Sequence, residues 1–379
     1  MNSWRECKLG EIATYRTGKL NSNASTENGK YPFFTCSPIT AKIDNYAFDE
    51  EALLLAGNNA NGIFSLKYYK GKFNAYQRTY LINTKEDYKF LFYCLKLQLA
   101  NLVHISQGTA TKFLTLPILN NIDISLPPLE EQKTIAEVLS SLDDKIDLLH
   151  RQNKTLEDLA GTLFRQWFIE EAKEEWEMKF SDAPIQLIDG DRGNNYPKNS
   201  DFFTNEYCLF LSAKNVTKNG FEFVDCSFIT KKRDELLRKG KLSRHDVVLT
   251  TRGTVGNIAY YHKLIPFENI RINSGMVILR ADETKISSLY LYIFMKSPLF
   301  SESVIEHTSG SAQPQIPIRD LNNVSFILPP EDIYNKFIEQ VEPIYFKVFS
   351  NQQQIQILEN LRDTLLLKLL SGEVRVKNE

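Results

Sequence analysis

The strongest constraint on this chain is an internal repeat, in which matching residues differ in number by 202. The first copy contains Gly108, Ala110, Leu119, Asn120, Asn121, Leu126, Pro127 and Pro128, and the second contains Gly310, Ala312, Leu321, Asn322, Asn323, Leu328, Pro329 and Pro330. The register continues without a gap to Thr162-Leu163 and Thr364-Leu365. Because similarity at a fixed spacing indicates repeated structural units, we expect two copies of one arrangement related by a pseudo-twofold axis.

Each copy combines a short strand, a Pro-Pro break and a long helix. The strands are predicted in NIDISL (121–126) and NVSFIL (323–328), and the prolines that follow prevent an earlier helix start. Apolar positions in the first helix then alternate in steps of four and three from Ile135 to Trp167, and a comparable series runs from Phe337 to Leu369. This heptad spacing predicts that each helix buries one narrow seam against another helix.

The seams also contain polar residues. If the helices pack antiparallel about the pseudo-twofold axis, opposing residue numbers sum to 504, which places Asn153 opposite Asn351. Such a polar pair can fix the register of two helices at some cost in stability. Leu142 opposite Arg362 fits this pattern less well, and Pro343 is expected to kink the second helix or to mark the start of its long part.

The repeat predicts four parts: a first domain (1–128), a central helix (129–172), a second domain (173–330) and a C-terminal helix (331–379). About 40 helical residues would form a rod of roughly 60 Å, a suitable spacer. Both outer segments mix predicted strands, such as EALLLAG and DVVLTTRG, with helices, such as DYKFLFYCLKLQLANLV and LYLYIFMKS. The predicted fold is therefore mixed α/β, with two domains separated by two long antiparallel coiled-coil helices.

Charge is distributed unevenly among these parts, although the formal net charge is only −2. Residues 129–172 hold 5 basic and 10 acidic side chains, whereas residues 1–128 hold 14 basic and 10 acidic ones. A basic cluster lies in the second domain and comprises Lys231, Lys232, Arg233, Arg238, Lys239, Lys241 and Arg244. It could neutralise DNA phosphates, or it could be a solvated helix face.

Polar loops supply the candidates for DNA contact. They include 57–62, 69–79 and 107–113 in the first domain, and 189–198, 214–220, 250–257 and 310–315 in the second. Arg, Asn and Gln can recognise base edges and Lys can bind phosphate, although Asn and Gly also simply make turns. The candidates are Asn59, Lys67, Tyr69, Arg78 and Lys112 in the first domain, and Arg192, Asn195, Lys214, Lys232 and Arg252 in the second.

No catalytic motif is found in the sequence. The P-loop pattern is missing, and the Leu-Pro-Pro at 126–128 and 328–330 lacks the Asp or Asn that a base-flipping methyltransferase needs. The histidines and five cysteines are scattered, and Asp189 and Asp191 beside Arg192 are weak evidence for a metal site. We therefore expect a chain without catalytic residues, bound metal or bound cofactor. Without an apolar run long enough to span a bilayer or a secretory signal, it is expected in the cytoplasm, away from membranes.

The chain resembles the specificity (S) subunits of type I restriction-modification systems over nearly its whole length. The most specific similarity lies in SLPPLEEQKTIAEVLSSLDDKIDLLHRQNKTLEDLAGTLFRQWF (125–168) and LENLRDTLLLKLLSGE (358–373). WRECKLGEI (4–12), VVLTTRGTVGNIA (247–259) and INSGMVILR (272–280) are similar to the family's target-recognition domains. One departure is Leu367, where the family often has proline.

The resemblance implies a non-catalytic subunit that recognises an asymmetric bipartite site on double-stranded DNA. Each recognition domain would contact one half-site, and the helices would set the gap. The implied partners are two methyltransferase (M) subunits and restriction motor (R) subunits. S-adenosylmethionine, ATP and Mg²⁺, with the N6-adenine methyltransferase and ATP-dependent endonuclease activities, would belong to those partners.

Three alternatives stay open. The chain could be an orphan or methylation-only specificity subunit, a distinction that the sequence does not make. It could be a coiled-coil adaptor that holds two protein-binding domains without binding DNA, in which case salt-dependent DNA binding would be missing. It could also be an enzyme with an unrecognised site near Asp189.

Overall fold

The computed structural model describes residues 4–59, 64–106, 112–308, 310 and 314–376, with the side chains of 100, 101, 103 and 105 excepted. The chain forms two compact units, one of Met1–Asp147 with Gln356–Glu379 and one of Leu148–Ile355. Each unit therefore contains an outer segment and a part of both long helices. Within the described part of the chain, no helix has the length and apolar character that a membrane span needs.

The first unit is built on a sheet of six strands. Its strands are β1 (Arg5–Lys8), β2 (Ala13–Thr17), β3 (Tyr31–Phe34), β4 (Ala41–Ile43), β5 (Phe48–Ala56), β6 (Asn58–Asn59), β7 (Leu66–Ala75), β8 (Thr79–Thr84), β9 (Lys112–Phe113) and β10 (Asp123–Leu126). The six-stranded order is β2-β8-β5-β7-β3-β4, in which β5 is antiparallel to both neighbours. Separately, β1 pairs with β10.

Three short or medium helices complete this unit: α1 (Leu9–Ile12), α2 (Tyr88–Ile105) and α3 (Leu116–Asn120). α2 starts where the side chain of Asp87 accepts a hydrogen bond from the backbone N–H of Phe90 at 2.8 Å, which satisfies an otherwise unpaired donor of the first turn. Phe90 and Leu91 of α2 are fully buried in a core that also contains Leu53 of β5 and Ile82 of β8. The predicted helix in this segment is thus present.

The second unit contains a sheet with a matching strand order. Its strands are β11 (Glu177–Lys179), β12 (Ile185–Asp189), β13 (Cys208–Leu211), β14 (Val216–Thr217), β15 (Gly220–Phe221), β16 (Phe228–Ile229), β17 (Val247–Thr250), β18 (Ile258–Tyr260), β19 (Ile270–Ile272), β20 (Met276–Ala281) and β21 (Ser325–Ile327). The order β12-β20-β17-β18 parallels β2-β8-β5-β7 of the first unit, and β11 pairs with β21 as β1 pairs with β10. A second sheet has the order β16-β13-β19.

The remaining helices include the two long ones. They are α4 (Leu129–Arg165), α5 (Lys231–Leu236), α6 (Ser288–Lys296), α7 (Pro298–His307), α8 (Ile318–Leu321) and α9 (Glu331–Leu370). α4 has 37 residues and continues into a π-helical turn, Gln166–Glu170. α9 has 40 residues with Pro343 inside it, so the helix does not start at the proline.

The two long helices run antiparallel within each unit. In the first unit, Leu139 near the beginning of α4 shares a core with Leu369 at the end of α9. In the second unit, Phe164 at the end of α4 shares a core with Phe337 near the beginning of α9, with ring centroids 6.0 Å apart. The seam positions Leu139 and Ala160 of α4, and Phe337 and Leu369 of α9, are thus buried, each in a core shared with the opposite end of the other helix.

The polar seam residues contact each other as the repeat predicted. The Asn351 amide, which is 0% exposed, donates a hydrogen bond from Nδ2 to Asn153 Oδ1 at 2.9 Å. The same Nδ2 is 3.3 Å from Gln152 Oε1, while Asn351 Oδ1 has no partner among the described residues. The pairing is thus present at the predicted layer, and its role in setting the register stays a prediction.

Arg362 has a partner that heptad spacing did not predict. Its Nη1 donates to Asp143 Oδ1 at 2.9 Å, and the Tyr93 hydroxyl donates to the other oxygen of that carboxylate at 2.7 Å. Asp143 follows seam position Leu142 and belongs to the side of α4 that faces α2. An ion pair beside the seam therefore accommodates the arginine in the layer that fitted the predicted pattern less well.

We expect the Asn pair to select the register at the expense of stability. Asn351→Leu alone leaves the Asn153 amide without its buried donor and should lower the free energy of unfolding by about 1–3 kcal/mol. The double variant, with both residues changed to Leu, should recover that loss because it completes an apolar seam. Urea unfolding measures both changes.

The register itself is measured by disulfide formation between Leu156→Cys and Val348→Cys, whose numbers sum to 504. The two half-buried native cysteines are replaced by serine in this background. With Asn153 and Asn351 present, this pair should crosslink in preference to one in which the second cysteine is moved by four residues. If the double Leu variant keeps the same preference, the Asn pair does not set the register.

Candidate nucleic-acid interface

In the first unit, the polar turn after β5 crosses the segment that precedes α3. Asn59 pairs with Lys112 in the short β6–β9 ladder, and the backbone N–H of Leu114 donates to the carbonyl of Gly57 at 2.9 Å. A side chain at Gly57 would place its Cβ 2.6 Å from the carbonyl oxygen of Arg78, so only glycine fits. Two predicted contact residues, Asn59 and Lys112, are thereby brought together.

Arg78 and Lys67 lie beside this ladder. The Arg78 guanidinium is 5.6 Å from the ring centroid of Phe113, and Lys67 Nζ donates to the carbonyl of Ser37 at 3.0 Å. Cys36, which precedes Ser37, connects this contact to the ladder, because its thiol donates to Asn58 Oδ1 at 2.9 Å. Burial lowers the pKa of Lys67. The fold thus places four of the five predicted residues of the first domain around one turn.

Tyr69 is placed differently, and its loop assignment was wrong. Most of the stretch 69–79 belongs to β7, which ends at Ala75, and Tyr69 pairs with Ala52 in the middle of the β5–β7 ladder. Its ring packs against Phe34 and Phe73, with centroids 5.2 and 5.7 Å away. Glycine, lysine and asparagine suggested a loop, but pairing with the apolar β5 determines the structure here.

The second unit repeats this crossing after β17. The backbone N–H of Ile316 donates to the carbonyl of Thr251 at 3.0 Å, just as Leu114 donates to Gly57. Leu114 and Ile316 are matching positions of the repeat. Arg252 forms an isolated bridge with Gln315, the counterpart of Asn58 with Phe113. Equivalent backbone positions therefore present unlike side chains in the two units.

Arg192 meets the same turn as Arg252. Its guanidinium donates to the carbonyl of Ser274 at 3.3 Å and to Asp189 Oδ1 at 3.1 Å, while Thr251 donates from its backbone to the carbonyl of Gly275 at 2.8 Å. Both arginines remain exposed. The turn that follows β19 thus joins two predicted contact residues that are 60 positions apart in the chain.

The carboxylates beside Arg192 stabilise their loop. Asp191 is buried and accepts hydrogen bonds from the backbone N–H groups of Gly193 at 2.6 Å and Arg238 at 2.7 Å. Burial alone would raise its pKa, but these hydrogen bonds and the Arg238 charge hold the pKa of Asp191 below its ordinary value. Within the described residues, no cluster of three His, Cys, Asp or Glu side chains could hold a metal ion.

The other candidates of the second unit lie on neighbouring segments. Asn195 Nδ2 donates to the carbonyl of Leu236 at 3.3 Å, which ties the loop of Arg192 to the end of α5. Lys232 is exposed near the beginning of the same helix. Lys214 is exposed in the 3₁₀ turn Ala213–Asn215. Val216 lies two residues after Lys214. Its carbonyl accepts a hydrogen bond from Asn257 Nδ2 at 2.9 Å, beside the turn of Arg252.

Most of the basic cluster is neutralised within the fold. Five of its seven members form ion pairs: Lys231 with Glu235, Arg233 with Asp201, Arg238 with Asp191, Lys241 with Asp234 and Arg244 with Glu268. Lys232 and Lys239 are exposed. The cluster thus contributes fewer cations for phosphate than its sequence suggests, because acidic side chains pair with five of its members, two from within the same segment and three from distant parts of the chain.

A buried arginine that sequence reasoning missed positions this cluster. Arg271 is 6% exposed and bonds to Asp234 Oδ1 at 2.5 Å and to the carbonyls of Lys239 and Leu237 at 2.7 and 3.1 Å. It thereby fixes the segment between α5 and β17 that carries Arg238. The available signal was one arginine between Ile270 and Ile272 in an otherwise apolar strand, since a buried charge requires partners.

Comparisons with known proteins give the same family over nearly the whole chain. The model of the type I restriction modification DNA specificity domain matches residues 1–158 and 185–369. The EcoDI specificity subunit of Escherichia coli is 26% identical, over 98% of this chain and 88% of that protein. The MjaVIII specificity subunit of Methanocaldococcus jannaschii is also 26% identical, over 99% and 94%.

A solved structure shares the fold. The type I restriction-modification S subunit from M. genitalium superposes with a TM-score of 0.61 at 18% identity, covering 99% of this chain and 97% of that one. This superposition supports the fold described above. With a family model that covers both repeats, this chain belongs to the type I restriction-modification DNA specificity domain family.

Proposed function

We propose that this chain is the non-catalytic subunit that gives a type I restriction-modification enzyme its DNA sequence specificity. Residues 1–128 and 173–330 act as target-recognition domains, and the helical parts 129–172 and 331–379 set the gap between half-sites. The observation that carries this proposal is the repeated crossing, which presents Asn58 and Asn59 in one unit and Arg252 in the other. Unlike side chains at equivalent positions favour two unlike half-sites.

The partners follow from the family. Two methyltransferase subunits bind the chain and modify adenine at N6, and restriction motor subunits join them for ATP-dependent cleavage. S-adenosylmethionine, ATP and Mg²⁺ are bound by those partners, and the complex acts in the cytoplasm. The acidic α4 supports a role in binding protein, because a surface with 10 acidic and 5 basic side chains over 129–172 repels DNA phosphates.

Arg252 offers a direct test of base contact. If its guanidinium bonds to a base edge, Arg252→Ala should weaken binding to one half-site by about 1–3 kcal/mol and relax its sequence requirement, while the other half-site is unaffected. Competition between duplexes for the purified complex, at one fixed salt concentration, measures this loss.

Lys285→Ala is the matched control for the loss of one exposed positive charge in the same unit. The two residues lie near opposite ends of β20. Lys285 follows its end at Ala281, whereas Arg252 lies two residues after Thr250, which pairs with Met276 at its beginning. The control variant should bind like the original chain. Equal weakening by both substitutions, without a change in sequence preference, would assign Arg252 only a nonspecific electrostatic role.

The proposed function as a whole is tested in a methylation-free bacterial host. Expressing the chain with the methyltransferase encoded beside it should produce methylated adenines within a split motif that has two unlike halves. Genome-wide detection of modified bases makes the measurement. A stable complex that methylates no site would contradict the proposal and favour an adaptor. Methylation without cleavage, when all neighbouring subunits are supplied, would identify a methylation-only system.

A further inference from the structure

The loop between β3 and β4, residues 35–40, lies beside the candidate interface of the first unit although no motif marks it. Its conformation is fixed from within: the backbone N–H of Ser37 donates to Thr35 Oγ1 at 3.2 Å, and that of Ile39 donates to Ser37 Oγ at 3.1 Å. Pro38 between them restricts the backbone further. The loop is therefore a shaped projection with a defined tip.

Two side chains attach this loop to the residues around the β6–β9 ladder. Lys67 Nζ holds the carbonyl of Ser37 at 3.0 Å, and the Cys36 thiol holds Asn58 Oδ1 at 2.9 Å. The Cys36 sulfur also lies 3.5 Å from the carbonyl oxygen of Arg78. Whatever contacts Asn58 and Arg78 therefore approaches the tip of this loop as well.

The tip carries an apolar side chain in these basic and polar surroundings. Ile39 is 80% exposed, more than any other large hydrophobic residue in the described part of the chain; Ile305 follows with 73%. Single exposed apolar residues are common on protein surfaces. This one differs because hydrogen bonds hold its loop in place beside Lys67 and the backbone of Arg78, two of the predicted DNA-contact residues.

We propose that Ile39 is a specificity-determining residue that contacts the C5 methyl group of a thymine in the half-site recognised by residues 1–128. This inference rests on the proposed function. The thymine methyl is the apolar group that a base pair presents in the major groove, and an aliphatic side chain recognises it by excluding water. Asn58 and Arg78, attached to the same loop, supply polar contacts to neighbouring bases or phosphates.

The test replaces thymine by deoxyuridine, which removes only the methyl group. Each thymine of the half-site assigned to residues 1–128 is replaced in turn, and duplex binding by the complex with its methyltransferase is measured by competition. Burial of one methyl group corresponds to about a fourfold change in affinity. At one thymine, replacement by deoxyuridine should lower the affinity of the original chain by about this factor. The same replacement should not lower the affinity of Ile39→Ala.

Ile357→Ala is the matched control, because Ile357 is 60% exposed on α9 and undergoes the same substitution. That variant should keep the sensitivity to deoxyuridine. Equal sensitivity of the original chain and Ile39→Ala, no sensitive thymine, or a half-site without thymine would overturn the proposal. Loss of methyltransferase assembly in Ile39→Ala would overturn it too, in favour of a protein contact. If the complex recognises no duplex sequence at all, the proposed function itself fails.

Discussion

The rest of the structure depends on the burial of both long helices in two separate cores, one in each unit. In the first unit, Leu139 of α4 and Leu369 of α9 close a core that the sheet and α2 leave open. In the second, Phe164 and Phe337 do the same. Each large side chain buried in this way contributes about 1.5–3 kcal/mol. Because both helices contribute to both cores, neither outer segment completes its core from its own residues.

The amide pair of Asn153 and Asn351 lies in a buried position that is unfavourable for polar groups. Asn351 is fully buried with an unpaired Oδ1, and removing a polar group from water without a partner costs free energy. An apolar residue would pack there without that cost. We expect the amides to add discrimination between registers, since a helix shifted along the seam would bury Asn153 against carbon atoms and leave its hydrogen bonds unmade.

Equivalent backbones with unlike side chains account for the candidate interface. The crossing of Leu114 with Gly57 and of Ile316 with Thr251 fixes where each turn lies. Side chains on those turns are then free to differ, because they do not enter the core. In the second unit the support comes from Asp191 and Arg271, whose buried bonds hold loops that carry exposed cations. The residues that stabilise these loops are thus different from the exposed residues that we propose for DNA contact.

The sequence predicted those parts of the molecule in which periodicity determines structure. The repeat and the heptad steps predicted the long helices, their antiparallel packing and the contact of Asn153 with Asn351.

Sequence reasoning failed where a partner distant in the chain determines the local structure. Tyr69 belongs to a strand because β5 pairs with it, and Asp143 meets Arg362 across 219 residues. The loop of Ile39 carries no motif, since its place is fixed by Lys67 through a backbone carbonyl, which any residue type supplies.

The central claim is that two separate units recognise two separate half-sites. It is tested most directly by exchanging residues 1–128 for the matching segment of a related chain and mapping methylated adenines across the genome of a methylation-free host. One half of the split motif should change, while the other half and the gap remain. A chimaera that forms a stable complex but changes both halves, or neither, would contradict the account.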